Sequence, residues 1–125
     1  MRLYSARTMR PLGPAFLANA SSSVDVSPDD RTLVTASADG QVRLFDVATR
    51  RPIGTALPGP EHVSAVARFT PDGAHVYVVF ANGRGYRWDV RPASWHRQAC
   101  TVAGRRLSRA EWHDALPDRS YAPAC

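Results

Sequence analysis

The chain repeats itself. Residues 26–47 (VSPDDRTLVTASADGQVRLFDV) lie without a gap on residues 69–90 (FTPDGAHVYVVFANGRGYRWDV) at a constant offset of 43. Pro28 falls on Pro71, Asp29 on Asp72, Ala38 on Ala81, Gly40 on Gly83, Asp46 on Asp89 and Val47 on Val90. Conservative pairs add Leu33 to Val76, Asp39 to Asn82 and Phe45 to Trp88. The amino terminus joins in at a shorter offset of 41: residues 2–16 share seven of fifteen residues with 43–57, namely Arg2, Leu3, Thr8, Arg10, Pro11, Gly13 and Ala15. A period of this length marks a supersecondary unit that cannot bury its apolar face alone and must stack on its neighbours.

Each unit has the same internal order. An S/T-P-D turn comes first, where Pro presets φ and the Asp side chain bonds its own backbone. A β-rich run follows, LVTAS or VYVVF, then Asp39-Gly40 or Asn82-Gly83, pairs that suit the positive φ of tight hairpins. The next run, QVRLFD or RGYRWD, alternates its side chains between two faces. In the first two units a segment ending P-L-G or P-I-G comes after it and can form an outer strand. The reading is a mainly β fold of four-stranded antiparallel units. Residues 1–17 are the end of one unit, 24–57 a complete unit, and 62–90 a last unit with three strands. Asp29, Asp39, Asp72 and Asp89 all fall on turn positions of the repeat, which accounts for them without catalysis.

These residues resemble the WD-repeat (WD40) β-propeller family. The resemblance rests on Phe45-Asp46 and Trp88-Asp89 at the WD position, the S/T-P-D turns, the D-G and N-G turns, and His62 near the family's Gly-His position. In style it is most similar to repeats of high-GC, actinobacterial-type proteins. It implies a partial propeller of about two and a half blades, since 125 residues cannot hold a closed ring of at least four four-stranded blades. It also implies structural blade positions at Asp39, Phe45, Asp46, His62, Asn82, Trp88 and Asp89. The family's hydrogen-bond network links a His, a hydroxyl, an Asp and a Trp within one blade. Here the last unit offers His62, Asn82 and Trp88 with Phe80 at the hydroxyl position. The preceding unit offers Ser37 and Asp39 with Phe45 in place of Trp and no Gly-His. Neither network is complete.

Residues 91–125 change character, carrying a net charge of +3 against +2 for residues 1–90. Pro92-Ala93-Ser94 opens a helical stretch that stops at Gly104. Ser108 and Glu111 then form a capping box that starts a second short helix, RAEWHDAL, ending at Pro117, with Trp112 and Leu116 on one face. The pattern Trp95, Ala99-Cys100, Ala103-Gly104-Arg105, Leu107-Ser108, Glu111-Trp112, Leu116-Pro117, Tyr121, Cys125 resembles a carboxy-terminal extension that follows the last WD repeat of many bacterial propeller proteins. That resemblance implies a helical extension over 91–125 with a natural end at Cys125, and attaches no activity to it. Both Cys100 and Cys125 belong to this pattern. A disulfide between them is one reading, and two small buried hydrophobes the other. His96, Cys100, His113 and Cys125 lack the knuckle spacing of a metal site. Cys100 beside His96 or His113 as a thiol nucleophile is weighed against a helical core cysteine, which the pattern favours.

Composition bears on partners and compartment. All 16 basic residues are Arg and 19 residues are Ala, a bias typical of GC-rich coding, so a pI near 10.0 says little about nucleic acid. The clusters Arg105-Arg106-Arg109 near Trp112 and Arg50-Arg51 lack the aromatic-interleaved stripe of a nucleic-acid site and read as solvated basic faces. Arg2, Arg7 and Arg10 before PLGPAFL, with Ala18-Asn19-Ala20 behind, mimic a secretory signal. The repeat explains the same residues as the end of a unit. The longest uncharged stretch, Pro11 to Val24, is too short to span a bilayer, and the expected compartment is the reducing cytoplasm. No phosphate-binding glycine loop, nucleophile elbow or zinc-protease motif is present, so neither enzyme activity nor a cofactor is expected. The expected function is a non-catalytic protein–protein interaction scaffold, part of a larger bacterial signalling protein. Met1 falls in mid-strand, which points to the carboxy-terminal portion of a longer chain, with self-association to complete a ring as a rival. The alternatives are a small basic nucleic-acid binder and an inactive truncated fragment.

Overall fold

The computed structural model describes residues 1–16, 21–57, 59–60, 62–106, 108–115 and 120–122. It divides into two compact units, Met1–Asp89 and Val90–Cys125. The first holds two three-stranded antiparallel sheets, β1-β2-β3 and β4-β5-β6. Their strands are β1 Ser21–Val26, β2 Thr32–Ser37, β3 Val42–Asp46, β4 Ala65–Phe69, β5 His75–Phe80 and β6 Gly85–Asp89. The second unit holds helices α1 Pro92–Ala103 and α2 Arg109–Ala115.

The offset of 43 becomes geometry. β2 and β5, and likewise β3 and β6, start and stop 43 residues apart. The turns between them repeat bond for bond. Ser27 Oγ donates to Asp29 Oδ1 at 2.6 Å and accepts from the Thr32 amide at 2.9 Å. Thr70 likewise donates to Asp72 and accepts from the His75 amide at 3.0 Å. Each Asp also takes the amide two residues on, Arg31 at 3.1 Å and Ala74 at 3.0 Å. The hairpins at Asp39-Gly40 and Asn82-Gly83 use only the glycine at positive φ, +85° and +82°. They are three-residue loops in which Gly40 N donates to Ser37 O and Gly83 N to Phe80 O. The Asp39 and Asn82 side chains accept the Gln41 and Arg84 amides instead, each at 3.1 Å. That bond, an Asx turn, is why a short polar residue precedes the glycine.

The offset of 41 is equally literal. Pro52 bridges Phe45, and Pro11 bridges Tyr4. Ile53 N donates to Leu44 O at 2.9 Å and Leu57 N to Val42 O at 2.8 Å, while Leu12 N donates to Leu3 O at 2.9 Å and Phe16 N to Met1 O at 2.7 Å. Asp46 Oδ1 caps the intervening turn by accepting from the Thr49 amide at 2.6 Å and hydroxyl at 2.7 Å. Ser5 takes the Thr8 amide at the same place. These outer segments are isolated bridges rather than continuous strands: four residues from Ile53 to Leu57, or Leu12 to Phe16, span only two on the edge they cover, with Gly54 and Gly13 at positive φ in the bulge.

Directly opposed residues share a sheet face, so the register sorts the core. In the first sheet Val26, Leu33 and Phe45 share one face, and Asp25, Val34 and Leu44 the other. The first of these faces packs on Phe16, whose ring meets Phe45 edge-on at 5.8 Å, with Met1 and Leu3 alongside. The second turns to the other sheet, meeting it along β4. There Ser23 Oγ donates to Ala67 O and accepts from Ala67 N, both at 3.2 Å, and Asp25 Oδ2 accepts from Phe69 N at 2.8 Å. Two alternate side chains of β1 thus serve two alternate backbone positions of β4. Polar groups sealed at this depth are satisfied rather than orphaned.

In the second unit Gly104 closes α1 in the left-handed region at φ +67°. The capping box at α2 is complete: Glu111 N donates to Ser108 Oγ at 3.3 Å and Ser108 N to Glu111 Oε2 at 2.8 Å. Arg105 grips the same carboxylate through both Nη atoms, at 2.9 and 2.6 Å. This fork and the Ser108 bonds hold Glu111 at a pKa of about 2. Trp112 meets Tyr121 edge-on at 5.9 Å. The expected partner of Trp112 on its helix face, Leu116, lies outside the described residues, as do the helix end at Pro117, the Ala18-Asn19-Ala20 motif and Cys125.

Candidate protein-docking surface

The repeat makes one sheet-to-sheet interface and leaves both halves of it repeated on the surface. Ser23, Val34 and Ala36, on the first sheet's inward face, are 7, 0 and 0% exposed. Their counterparts 43 residues on are Val66, Tyr77 and Val79, at 49, 51 and 59%. Val66 opposes Val79 across β4 and β5, and Arg68 opposes Tyr77 beside it, so these side chains form one apolar face edged by a cation. At the other end, Val24 and Val26 are exposed while their counterparts Ala67 and Phe69 are covered. The physical difference between β2 and β5 is what lies against them. β2 has a layer on each side and is buried along both faces, whereas β5 alternates buried and exposed. An apolar face of a soluble chain that stays open marks an interaction site more often than an accident.

The edge of the same sheet adds a second feature. Tyr86 and Trp88 stack at 5.6 Å with ring planes 11° apart, and Tyr86 meets the buried Phe80 edge-on at 5.7 Å. With Gly59, Pro60 and Arg84 they line a cleft of about 350 Å³. The cleft belongs to β6, the outer strand of its sheet.

The residues singled out in sequence scatter over this unit rather than converging. Asp39 sits in the first hairpin, with Ser37 donating to it; that hydroxyl and the Gln41 amide hold its pKa below the ordinary carboxylate value. His62 comes to this turn, not to its own sheet: its amide donates to Asp39 O at 2.9 Å, and its backbone is left-handed at φ +59°. Asn82 caps the second hairpin. Phe45 is core, Trp88 is half-buried in the aromatic stack, Asp46 caps its turn, and Asp89 ends β6. Among the described residues no group of three His, Cys, Asp or Glu side chains could hold a metal, and no helix is long and apolar enough to cross a membrane. Cys100 Sγ lies 4.0 Å from both ring nitrogens of His96.

Three arginines of the basic clusters have partners within the chain. Arg105 forks onto Glu111, Arg109 lies 4.9 Å over the Tyr121 ring, and Arg50 reaches Leu12 O. Sequence reasoning missed Ser23 and Asp25, whose role does not repeat: their counterparts are Val66 and Arg68. It also missed the open face, though a signal was there. The run VYVVF is apolar at both alternations, the mark of a strand covered on both sides, while among the described residues only one face of β5 is covered.

Residues 18–46 match the family model of the WD40 repeat, described as WD domain, G-beta repeat. The eukaryotic translation initiation factor 3 subunit I of Mycosarcoma maydis is 36% identical over 85 residues, covering 61% of this chain and 23% of that protein. The chain therefore spans about a quarter of the length of the curated relative it matches. Both findings support the WD40 family, and neither carries a catalytic description.

Proposed function

We propose that this chain is a non-catalytic protein-binding module, a scaffold part that engages a partner protein through the open face of its second sheet. WD40 repeats generally mediate protein–protein interaction, and the related initiation factor is by its name a subunit of a larger assembly. The observation that carries the reading is the exposure of Val66, Tyr77 and Val79 where Ser23, Val34 and Ala36 are buried. On this reading the repeats are blades, about two and a half of them over residues 1–90, and 91–125 is a helical extension. The module works in the cytoplasm of a high-GC bacterium as part of a larger signalling protein. A second copy completing the ring is one partner the face would fit, since it repeats half of an interface the chain already makes.

A photo-reactive amino acid in place of Val79 tests this. Crosslinking to one defined protein in cell extract is expected, with none from the same group in place of Thr8, and a shallow salt dependence of retention on heparin. A Val79 crosslink no stronger than the Thr8 control, together with a steep salt slope on heparin, would overturn the reading in favour of nucleic acid.

A further inference from the structure

The outer edge of each repeat can be compared three times within the chain. At β3, Leu44 O and Val42 O accept the amides of Ile53 and Leu57, and Asp46 N donates to Arg51 O at 2.9 Å. At the amino terminus, Leu3 O and Met1 O accept from Leu12 and Phe16, and Ser5 N donates to Arg10 O at 2.9 Å. Both covering segments have one pattern, R-R/M-R-P aside: Arg-Pro, an aliphatic residue, Gly, any residue, Ala, and a large apolar residue, as in RPLGPAF and RPIGTAL.

The third edge is β6. Phe80 N donates to Arg84 O at 2.9 Å, which fixes the alternation of an antiparallel ladder. Tyr86 and Trp88 opposite Val78 and Val76 therefore bond inward to β5, and Gly85 and Arg87 turn both their N–H and C=O outward. These are the counterparts of Val42 and Leu44, and both are exposed. After β6 the chain enters α1 at Pro92, with no third copy of the covering pattern in the sequence. The two copies it has are bonded to their own strands. Apolar side chains flank the open edge on both faces, Tyr86 and Trp88 on one, Tyr77 and Val79 on the other.

We infer that the outer edge of β6 binds an extended segment of a partner polypeptide with the pattern Arg-Pro-aliphatic-Gly-x-Ala-apolar, which adds to the sheet as a fourth strand. Main-chain bonds to Gly85 and Arg87 supply the hold, and the flanking aromatic and aliphatic groups receive alternate side chains. The inference deepens the protein-binding reading by naming the partner's chemistry at one edge. Its failure would leave the Val79 crosslink untouched, so the two are separable.

The probe is a fluorescently labelled peptide, ATRRPIGTAL, the sequence of residues 48–57, titrated into the full chain. Saturable binding is expected. N-methylation at the peptide positions of Ile53 and Leu57 removes the two donors, and a loss of about tenfold or more is expected for two hydrogen bonds. N-methylation at the peptide position of Ala56, whose amide makes no bond to β3, is the control and should leave binding unchanged. Absence of saturable binding, full binding by the peptide methylated at Ile53 and Leu57, or an equal loss from the Ala56 control would overturn the inference.

Discussion

At the residue scale, the chain relies on short polar side chains that bond backbone within a few residues. Ser27, Thr70, Asp29, Asp39, Asp72 and Asn82 each close a turn this way. The hydroxyl partners of Asp29, Asp39 and Asp72 are the first cause of their lowered pKa values. Such residues were legible from the sequence because the chemistry is local. Glu111 is the clearest titrating case. Arg105 and Ser108 lower its pKa from 4.5 to about 2, so the carboxylate stabilises the folded tail above pH 4.5, and that contribution is lost as the pH falls through about 2. The amide proton of Ser108, which donates to this carboxylate, should titrate with a midpoint near 2 in NMR spectra. A midpoint near 4.5 would mean that the clamp does not form in solution.

At the scale of elements, the two hairpins separate backbone strain from packing. Gly40 and Gly83 have nearly the same φ. A Cβ at Gly40 would stand 2.4 Å from Pro60 O and 2.9 Å from Val63 O, whereas one at Gly83 meets nothing within 4 Å. Gly83→Ala should cost about 1–2 kcal/mol, the penalty of the left-handed region for a residue with a Cβ. Gly40→Ala should cost more, because the loop that brings His62 to Asp39 O would also have to move. Equal losses in chemical denaturation would remove the packing argument. The runs that became β2, β3, β5 and β6 were legible in the sequence to within a residue, as were the turns, α1 and the capping box, since period, turn chemistry and caps are local signals; β1 and β4 were not singled out. The placement of His62 was not legible either. Its amide bonds to Asp39 O, 23 positions earlier in the chain, a contact that no local pattern encodes.

At the scale of the whole first unit, the sequence offers two equivalent sheets and the fold makes them unequal. Both β2 and β5 have apolar residues on both faces, yet a covering layer lies on both faces only of β2. That asymmetry arises from how many layers stack, a property of the assembled unit rather than of either repeat. It also sets a contrast in stability: Leu44→Ala, at a position 2% exposed, should cost about 2–5 kcal/mol, whereas Val79→Ala should stay within about 0.5 kcal/mol of the parent. One interface of the repeat is filled and its copy is open, and matched cysteine substitutions read this difference directly. Ala36→Cys and Val79→Cys would be treated separately with a thiol reagent under native conditions, and modification at each position followed by peptide mass spectrometry. Rapid labelling is expected at position 79, and protection at position 36 until the protein unfolds. Equal protection at both positions would contradict this expectation.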